Sequence, residues 1–297
     1  MPLEAADELL SHASRGRYAV GYFESWDIAS LEGVIDAAEQ SRAPVIVGFN
    51  GEFLARPERD PPARLAWYGA LGRAAAESAR VPCAVMFNEC PAGDWVERAT
   101  ALGFNFVMFA DENADHAALT RRVAELVRVA HGRGVAVEAE LGVLPCGVAG
   151  HNGTAAALTD PDQAAAFVRA TSIDVLAVST GNVHIKVDGQ QSLDLTRLAA
   201  IRKKVHVPLA LHGGSGIAGQ SLADAIALGV AKVNYGTYLK QRCLAALRRA
   251  LAEADGNANP HRVLGGGGRA DLLVTVRQAV RDAVLERIGL LGCCGKA

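Results

Sequence analysis

The sequence predicts one (β/α)8 barrel with a C-terminal helical extension, a single domain that spans residues 1–297. Short apolar segments alternate with segments of helical periodicity along most of the chain. Glycine-containing loops follow the last two apolar segments, and no change in composition marks a second domain. Consecutive strand and helix units favour a closed parallel barrel over a doubly wound open sheet, which is the weaker alternative.

Eight strands are predicted from short apolar segments. They are Tyr18–Phe23, Pro44–Phe49, Cys83–Asn88, Asn105–Ala110, Val135–Leu141, Val175–Ser179, Pro208–Leu211 and Lys232–Asn234. The helices predicted between them include Ile28–Ser41, Pro62–Ala79, Asp94–Leu102, Asn113–Arg133, Pro161–Ala170 and one that begins near Gln220. Two glycine-containing loops, Gly142–Thr159 and Asn257–Arg269, interrupt the alternation. A last amphipathic helix, Leu272–Ile288, is expected to pack on a neighbouring chain or on the barrel exterior.

Composition excludes several classes of function. The net charge of −2 and the pI near 6.5 provide no basic surface, so we expect no nucleic-acid partner. The chain has neither a leader segment nor eighteen consecutive apolar residues, which predicts a cytoplasmic protein without a membrane partner. The six cysteines have no metal-binding spacing and are expected to be free thiols.

The segment Pro208–Ile217, PLALHGGSGI, predicts a buried strand that ends in a glycine loop. Its residues Gly213, Gly214 and Ser215 leave backbone N–H groups free to converge on an anion, and the following helix adds the positive end of its dipole. The next strand repeats the pattern, with Asn234, Gly236 and Thr237 directly before a helix. Two consecutive strand ends of this kind are typical of a phosphate-binding barrel.

A barrel carries its active site at the carboxyl ends of its strands, so position selects the candidate residues. The polar residues in such positions are Asn88, Glu89, Glu138, Glu140, His184, His212, Asn234 and Thr237. Two histidines and a carboxylate from separate strands form an ordinary ligand set for a zinc-type ion. A lone histidine is more often a hydrogen-bonded core residue, but His212 precedes the glycine loop and His184 follows Gly181 and Asn182, which favours the ligand interpretation.

The segments LHGGSGI, KVNYGT, VEAELG, VMF and GCCGKA together resemble the class II, metal-dependent fructose-bisphosphate and tagatose-bisphosphate aldolase family, nearly end to end. The pair LHGGSG and KVN is the most specific part. The resemblance implies zinc ligands at His184 and His212, and a second carboxylate near the metal at Glu140. It also implies a site for the phosphate of dihydroxyacetone phosphate and its neighbours, which we assign to Gly181, Gly213, Gly214, Ser215, Asn234, Gly236 and Thr237. Relatives of this kind are dimers or tetramers, so a homodimer or homotetramer is expected.

The chain departs from the family pattern at the end of strand three. Asn88, Glu89 and Cys90 stand where the family has the Asp, His and Gly of HLDHG. We expect Glu89 to replace the histidine, which gives the metal set Glu89, His184 and His212, because a carboxylate binds Zn²⁺ at a similar distance and also suits Mn²⁺. Asn88 can orient a carbonyl but cannot give up a proton at neutral pH. The expected catalytic residues are therefore Asn88, Glu89 and Glu140.

Further departures surround the substrate. Ile185 and Gly236 replace a glycine and an aspartate of the family, and Glu24 replaces an asparagine at the end of strand one. The loop after strand five has lost the acids of its relatives and retains only Cys146 and His151 as titratable groups, each more simply interpreted as an ordinary loop residue. Cys90 is expected to be a packed, inert thiol.

These observations predict a divalent-metal-dependent aldolase, a carbon-carbon lyase that acts on a ketose phosphate or a related phosphorylated keto compound through a metal-stabilised enediolate. Weak activity on fructose 1,6-bisphosphate is expected, because Asn88 replaces a catalytic acid. Two alternatives stay open: a non-catalytic phosphate-binding homologue and a metal-dependent sugar-phosphate epimerase or isomerase.

Overall fold

The computed structural model describes residues 2–59, 63–111, 114–142, 144, 157–183, 189–253 and 259–297. Eight parallel strands form a closed barrel in sequential order, and β8 pairs with β1 to complete it. The strands are β1 (Val20–Glu24), β2 (Val45–Asn50), β3 (Cys83–Cys90), β4 (Phe106–Phe109), β5 (Ala136–Leu141), β6 (Val175–Val178), β7 (Leu209–Leu211) and β8 (Val230–Tyr235). The predicted fold class is confirmed.

Helices lie before, between and after the strands in the sequence. They are α1 (Ala6–Gly16), α2 (Ile28–Ser41), α3 (Gly51–Leu54), α4 (Leu65–Ser78), α5 (Gly93–Ala99), α6 (His116–His131), α7 (Pro161–Thr171), α8 (Leu195–Lys204), α9 (Gly219–Ala227), α10 (Thr237–Glu253), α11 (Pro260–Val263) and α12 (Leu272–Leu291). The sequence analysis did not predict α1, α3, α8 or α11. No helix in these described ranges has the length and apolarity needed to cross a membrane.

Aspartate caps explain where several helices begin. The carboxylates of Asp27, Asp115, Asp160, Asp194 and Asp271 each accept a hydrogen bond from a backbone N–H in the first turn of the helix that follows. Such caps satisfy donors that the helix itself leaves unpaired. They place the starts of α6 and α12 directly after Asp115 and Asp271, and the first of these is later than the predicted start at residue 113.

The C-terminal helix α12 packs against α2 and α10 on the outside of the barrel. A methyl group at Gly33 of α2 would lie 2.5 Å from the carbonyl oxygen of Arg277, so only glycine permits this approach. The guanidinium group of Arg277 then donates two hydrogen bonds to Asp36, at 2.6 and 2.8 Å. The predicted packing of the last helix on the barrel exterior is confirmed, and the helix extends to Leu291 before Gly292 ends it with a φ of 70°.

Candidate active site

His212 lies at the end of β7 with its ring between two carboxylates. Its Nδ1 is 2.8 Å from Glu89 Oε1, and its Nε2 is 2.7 Å from Glu138 Oε1. The His212 side chain is 1% exposed and that of Glu138 is completely buried. Strands β3, β5 and β7 therefore bring one histidine and two acids together inside the mouth of the barrel.

The surroundings of His212 favour a positive charge on the ring. Burial lowers the pKa of His212, but hydrogen bonds to Glu138 and Glu89, together with the charge of Glu140, outweigh it and raise the pKa to about 10. The same carboxylates that stabilise a proton here would stabilise a cation that replaced it. The position is therefore suited to a proton or a metal ion.

Lys232 on β8 contacts the same carboxylate, Glu138, as His212. Its Nζ lies 2.9 Å from Glu138 Oε2 and donates to Asn234 Oδ1 at 2.5 Å. Its side chain is completely buried, and the ring of Tyr22 faces the ammonium group at 5.2 Å. Burial raises the pKa of Glu138, but the charges of Lys232 and His212 lower it overall, so that Glu138 stays ionised. The sequence signal for this role was a lysine inside a predicted buried strand.

Glu89 occupies an unusual backbone conformation. Its φ is 51°, and the register of β3 against β4 shifts between Phe87 and Cys90. Asn50, at the end of β2, donates a hydrogen bond from Nδ2 to Glu89 Oε2 at 2.8 Å. The bulge and this hydrogen bond orient the carboxylate of Glu89 toward His212, and the sequence analysis missed Asn50.

Because a left-handed conformation costs a non-glycine residue roughly 1–2 kcal/mol, Glu89 stores strain that glycine would relieve. We expect Glu89→Gly to be more stable than Glu89→Ala by about 1 kcal/mol, since both variants lose the same carboxylate. Urea denaturation of the two variants in the presence of a chelator measures the difference. Equal stability, or a more stable alanine variant, would show that the backbone at this position is unstrained.

Asn88 and Cys90, also on β3, are both buried but differ in their surroundings. Asn88 is 2% exposed, and its Oδ1 has no hydrogen-bond partner among the residues that the structure describes. Because the residue also lines the cavity at the barrel mouth, this oxygen is suited to accept a hydrogen bond from a bound molecule. Burial raises the pKa of the Cys90 thiol to about 12, which agrees with a packed, inert side chain.

The glycine loop after β7 turns tightly and approaches both β8 and α10. Gly213 has a φ of 66° and leads into a single 3₁₀ turn, Gly214–Gly216. A side chain at Gly214 would lie 2.6 Å from Val233 Cγ1, so only glycine lets this turn approach β8. Ser215 Oγ accepts a hydrogen bond from the backbone N–H of Tyr238, in the first turn of α10. The loop and the N-terminus of α10 therefore lie side by side.

The end of β6 is tied to β7 by a residue that the sequence analysis did not single out. Asn182 donates from Nδ2 to the carbonyl oxygen of His212 at 3.1 Å and accepts from the backbone N–H of Thr180 at 2.8 Å. The neighbouring Gly181 has a φ of 98°, a conformation that glycine adopts without strain. Asn182 thus positions the backbone that carries His212.

A cavity of about 200 Å³ opens at the barrel mouth. It brings together seven predicted site residues: Asn88, Glu89, Gly213, Ser215, Asn234, Gly236 and Thr237. Glu24, Asn50, Phe53 and Lys240 lie on its wall as well. Gly181, Gly214, Glu140 and His212 are not part of its wall. A groove of about 1510 Å³ on the outside of the barrel, between α2, α4 and α12, contains none of the predicted site residues.

Part of the predicted metal set cannot be placed. His184, Cys146 and His151 lie outside the described residues. Within the described ranges, no three His, Cys, Asp or Glu side chains form a group that could hold a metal ion. Two of the three predicted ligands, His212 and Glu89, are described, and their facing atoms are 2.8 Å apart. The ligand assignment stays a prediction.

Comparisons with known proteins give matches along nearly the whole chain. The family described as fructose-bisphosphate aldolase class-II matches residues 4–296. The uncharacterized protein YdjI of Escherichia coli (strain K12) is 33% identical over 291 residues, 96% of each chain. A fructose-bisphosphate aldolase of Geobacillus stearothermophilus is 30% identical over 305 residues, with 100% of this chain and 99% of that protein covered.

Two solved structures also match nearly the whole chain. The crystal structure of the YdjI aldolase from Escherichia coli K12 superposes with a TM-score of 0.80 at 31% identity, over 99% of both chains. A putative fructose-1,6-biphosphate aldolase from Coccidioides immitis superposes with a TM-score of 0.81 at 25% identity, over 98% of this chain and 97% of that one.

Proposed function

The chain belongs to the class II fructose-bisphosphate aldolase family, and from this premise we propose that it is a divalent-metal-dependent aldolase. It cleaves a phosphorylated ketose into dihydroxyacetone phosphate and an aldehyde. The observation that carries the proposal is the ring of His212 held between Glu89 and Glu138, one residue from the glycine loop. A homodimer or homotetramer and a cytoplasmic location are predictions that accompany it.

Two of the described residues, His212 and Glu89, suit a divalent cation such as Zn²⁺ or Mn²⁺, which requires a further ligand. An N–H at His212 Nε2 that donates to Glu138 orients Nδ1 as a ligand, an arrangement common in metal sites. Two ligand atoms of a zinc ion, each about 2 Å from it, lie about 3 Å apart, close to the separation of His212 Nδ1 and Glu89 Oε1. His184 is proposed as the third ligand. When bound, the ion supplies Lewis-acid stabilisation of the negative charge that develops on substrate oxygens.

The phosphate of the substrate is proposed to bind where the loop after β7 meets α10. Backbone N–H groups of Gly213, Gly214 and Ser215 supply hydrogen bonds. Thr237, directly after Gly236, begins a helix of 17 residues whose dipole favours an anion. Binding energy from this remote phosphate holds the reacting carbon atoms in place. Asn234, which accepts a hydrogen bond from Lys232 and lines the same cavity, is proposed to contact the substrate as well.

Cleavage breaks the bond between C3 and C4 of the ketose. The C4 hydroxyl loses its proton and becomes the aldehyde, the bonding electron pair stays with C3, and C3 later takes up a proton, so the reaction is redox-neutral. Asn88 is proposed to accept a hydrogen bond from the C4 hydroxyl through its Oδ1. Glu89 and Glu140 are the described acids assigned to proton transfer, with Cys146, His151 or water as other routes.

Because Asn88 cannot remove the proton, activity on fructose 1,6-bisphosphate is expected about a hundredfold to ten-thousandfold below that of ordinary relatives.

Hydrogen exchange on dihydroxyacetone phosphate tests the proposed function without knowledge of the aldehyde. Zinc-loaded protein in deuterated water is expected to replace one proton on the hydroxymethyl carbon of this compound, the atom that becomes C3 of the ketose, and proton NMR measures its loss. The control is the same protein treated with a chelator, which should not exchange. An absence of exchange by the zinc-loaded protein would contradict the proposal and favour a non-catalytic phosphate-binding homologue. Deuterium in a ketose phosphate that is never cleaved would favour an epimerase.

A further inference from the structure

We propose that Tyr22 is a further catalytic residue of the proposed reaction: its phenolic O–H donates a hydrogen bond to the oxygen on C4 of the ketose, the atom that becomes the aldehyde oxygen. This inference rests on the proposed function and adds to it a group that stabilises negative charge on that oxygen. It follows from the burial of Tyr22, from its hydroxyl group without a partner, and from its place beside Asn88 on the cavity wall.

The side chain of Tyr22 extends from β1 over the neighbouring β2. A methyl group at Gly48 of β2 would lie 2.9 Å from Cε2 of the Tyr22 ring, so the absence of a side chain at position 48 leaves room for the ring. The Lys232 ammonium on β8 lies 5.2 Å from the centre of the same ring. In the register of β1 against β8, Tyr22 pairs with Asn234. Contacts with both neighbouring strands therefore hold the ring in place.

The hydroxyl group of Tyr22 is prepared to donate a hydrogen bond to a ligand. Tyr22 is 2% exposed, and its hydroxyl is buried with no hydrogen-bond partner among the residues that the structure describes. Buried tyrosine hydroxyls usually have a partner, and because Tyr22 lines the cavity at the barrel mouth, a bound molecule can supply it. Burial and the charges of Glu24, Glu89 and Glu138 raise the pKa of Tyr22 well above its usual value, so the phenol keeps its proton.

Glu24, the next residue on the same face of β1, is already engaged elsewhere. Its Oε1 accepts a hydrogen bond from Lys240 Nζ at 2.5 Å. A side chain at Gly236 would overlap its Oε2, so the carboxylate fills the space that this glycine leaves open. Tyr22 is therefore the polar group of β1 that is available to the substrate.

Tyr22 and Asn88 offer complementary groups to one hydroxyl group. Both line the cavity, and the Asn88 side chain is close enough to counteract part of the rise in the pKa of Tyr22. The buried Oδ1 of Asn88 accepts hydrogen bonds and has no partner among the described residues. A hydroxyl group both donates and accepts, so one placed between the two side chains satisfies the phenol and the amide together. The proposed function assigns the C4 hydroxyl to Asn88, and the same oxygen is therefore assigned to Tyr22.

A donor at this oxygen accelerates the making and the breaking of the C3–C4 bond. In the synthetic direction, C3 of the enediolate supplies the electron pair of the new bond to the aldehyde carbon, and the π pair of the carbonyl group moves onto its oxygen. The O–H of Tyr22 stabilises the charge that develops there, and the oxygen then takes up a proton from water. Cleavage runs through the same steps in reverse, so the reaction stays balanced and Tyr22 ends each turnover protonated.

Tyr22→Phe tests the inference because it removes the hydroxyl group and keeps the ring. Zinc-loaded protein is given dihydroxyacetone phosphate with glycolaldehyde, glyceraldehyde or glyceraldehyde 3-phosphate, and formation of the ketose phosphate is measured. We expect kcat for bond formation to fall about a hundredfold to a thousandfold, the usual effect of removing one donor to a developing oxyanion. Deuterium exchange on dihydroxyacetone phosphate should stay within about twofold, because it does not involve the C4 oxygen, and the zinc content should not change.

Tyr235→Phe is the matched control. Tyr235 on β8 is completely buried, and its hydroxyl also has no partner among the described residues, but it is not part of the cavity wall. Both bond formation and exchange should stay within about twofold of the unmodified protein, because the lost hydroxyl contacts no substrate.

Three results would overturn the inference: unchanged bond formation in Tyr22→Phe, an equal loss of bond formation and exchange, which indicates a structural role, or an unmodified protein that exchanges protons but joins dihydroxyacetone phosphate to none of the three aldehydes. In each case exchange by the unmodified protein leaves the proposed function standing. If the unmodified protein shows no exchange, the proposed function falls as well.

Discussion

His212→Ala is expected to reduce bound zinc to less than about a tenth of an equivalent per chain and to lower turnover about a thousandfold. The substitution removes the Nδ1 atom that faces Glu89. The site then keeps the carboxylates of Glu89 and Glu138 but has lost the nitrogen ligand between them. Loss of about 4 kcal/mol of transition-state stabilisation from the ion corresponds to this change in rate. Metal analysis of the purified variant measures the loss of zinc, and hydrogen exchange on dihydroxyacetone phosphate measures the loss of turnover.

His206→Ala is the control for this variant, because His206 is exposed, precedes β7 whereas His212 follows it, and is not part of the cavity wall. It should keep the zinc content and the activity of the unmodified protein. If His212→Ala retains a full equivalent of zinc, the ion does not bind at His212, and the proposed metal set of Glu89, His184 and His212 is wrong.

Lys232→Met is expected to lower the free energy of unfolding by about 3–5 kcal/mol. Lysine and methionine have similar shapes, so the main change is the loss of a charge beside Glu138, which stays completely buried. Removal of one partner of a buried ion pair is costly because the other charge then has too little compensation. Guanidinium denaturation at neutral pH measures the effect, and a change of less than about 1 kcal/mol would show that Lys232 is dispensable for stability.

The double variant Lys232→Met with Glu138→Leu separates stability from metal binding. It should recover much of the lost stability, since apolar residues of similar volume often replace a buried ion pair without cost. Its zinc affinity should nevertheless fall about 10- to 100-fold, because His212 Nε2 loses the carboxylate that orients the ring. Recovery of both properties together would contradict the positioning role of Glu138.

The sequence predicted the barrel because apolar segments and helical periodicity are local signals. The glycine loop after β7 was predicted for the same reason, since the consecutive residues Gly213 and Gly214 disfavour both helix and strand. Helix α1 was missed although its buried residues Ala6, Leu9, Leu10 and Ala13 recur at the spacing of an amphipathic helix, so the signal was present in the sequence.

Partners across the barrel were harder to predict. Asn50 and Glu89 are 39 residues apart in sequence, and nothing in either segment indicates their hydrogen bond. Only the register of β2 against β3, which pairs Asn50 with Asn88, places them together. Glu138 and Glu140 point to the same face of β5, so alternation alone could not show that Glu138 is the one that contacts His212.

The overlap between Glu24 and any side chain at position 236 makes the evolution of these two positions epistatic. In a lineage that carries Glu24, an acid at position 236 would displace the end of the Glu24 side chain and bring two negative charges together, a cost that is absent once residue 24 is short or uncharged. The order of mutation is thereby biased: an ancestor with a short residue at both positions has access to either arrangement, and direct conversion of one arrangement into the other is disfavoured. Homologues should therefore divide into two groups, with the acid on the first strand or after the eighth, and rarely at both.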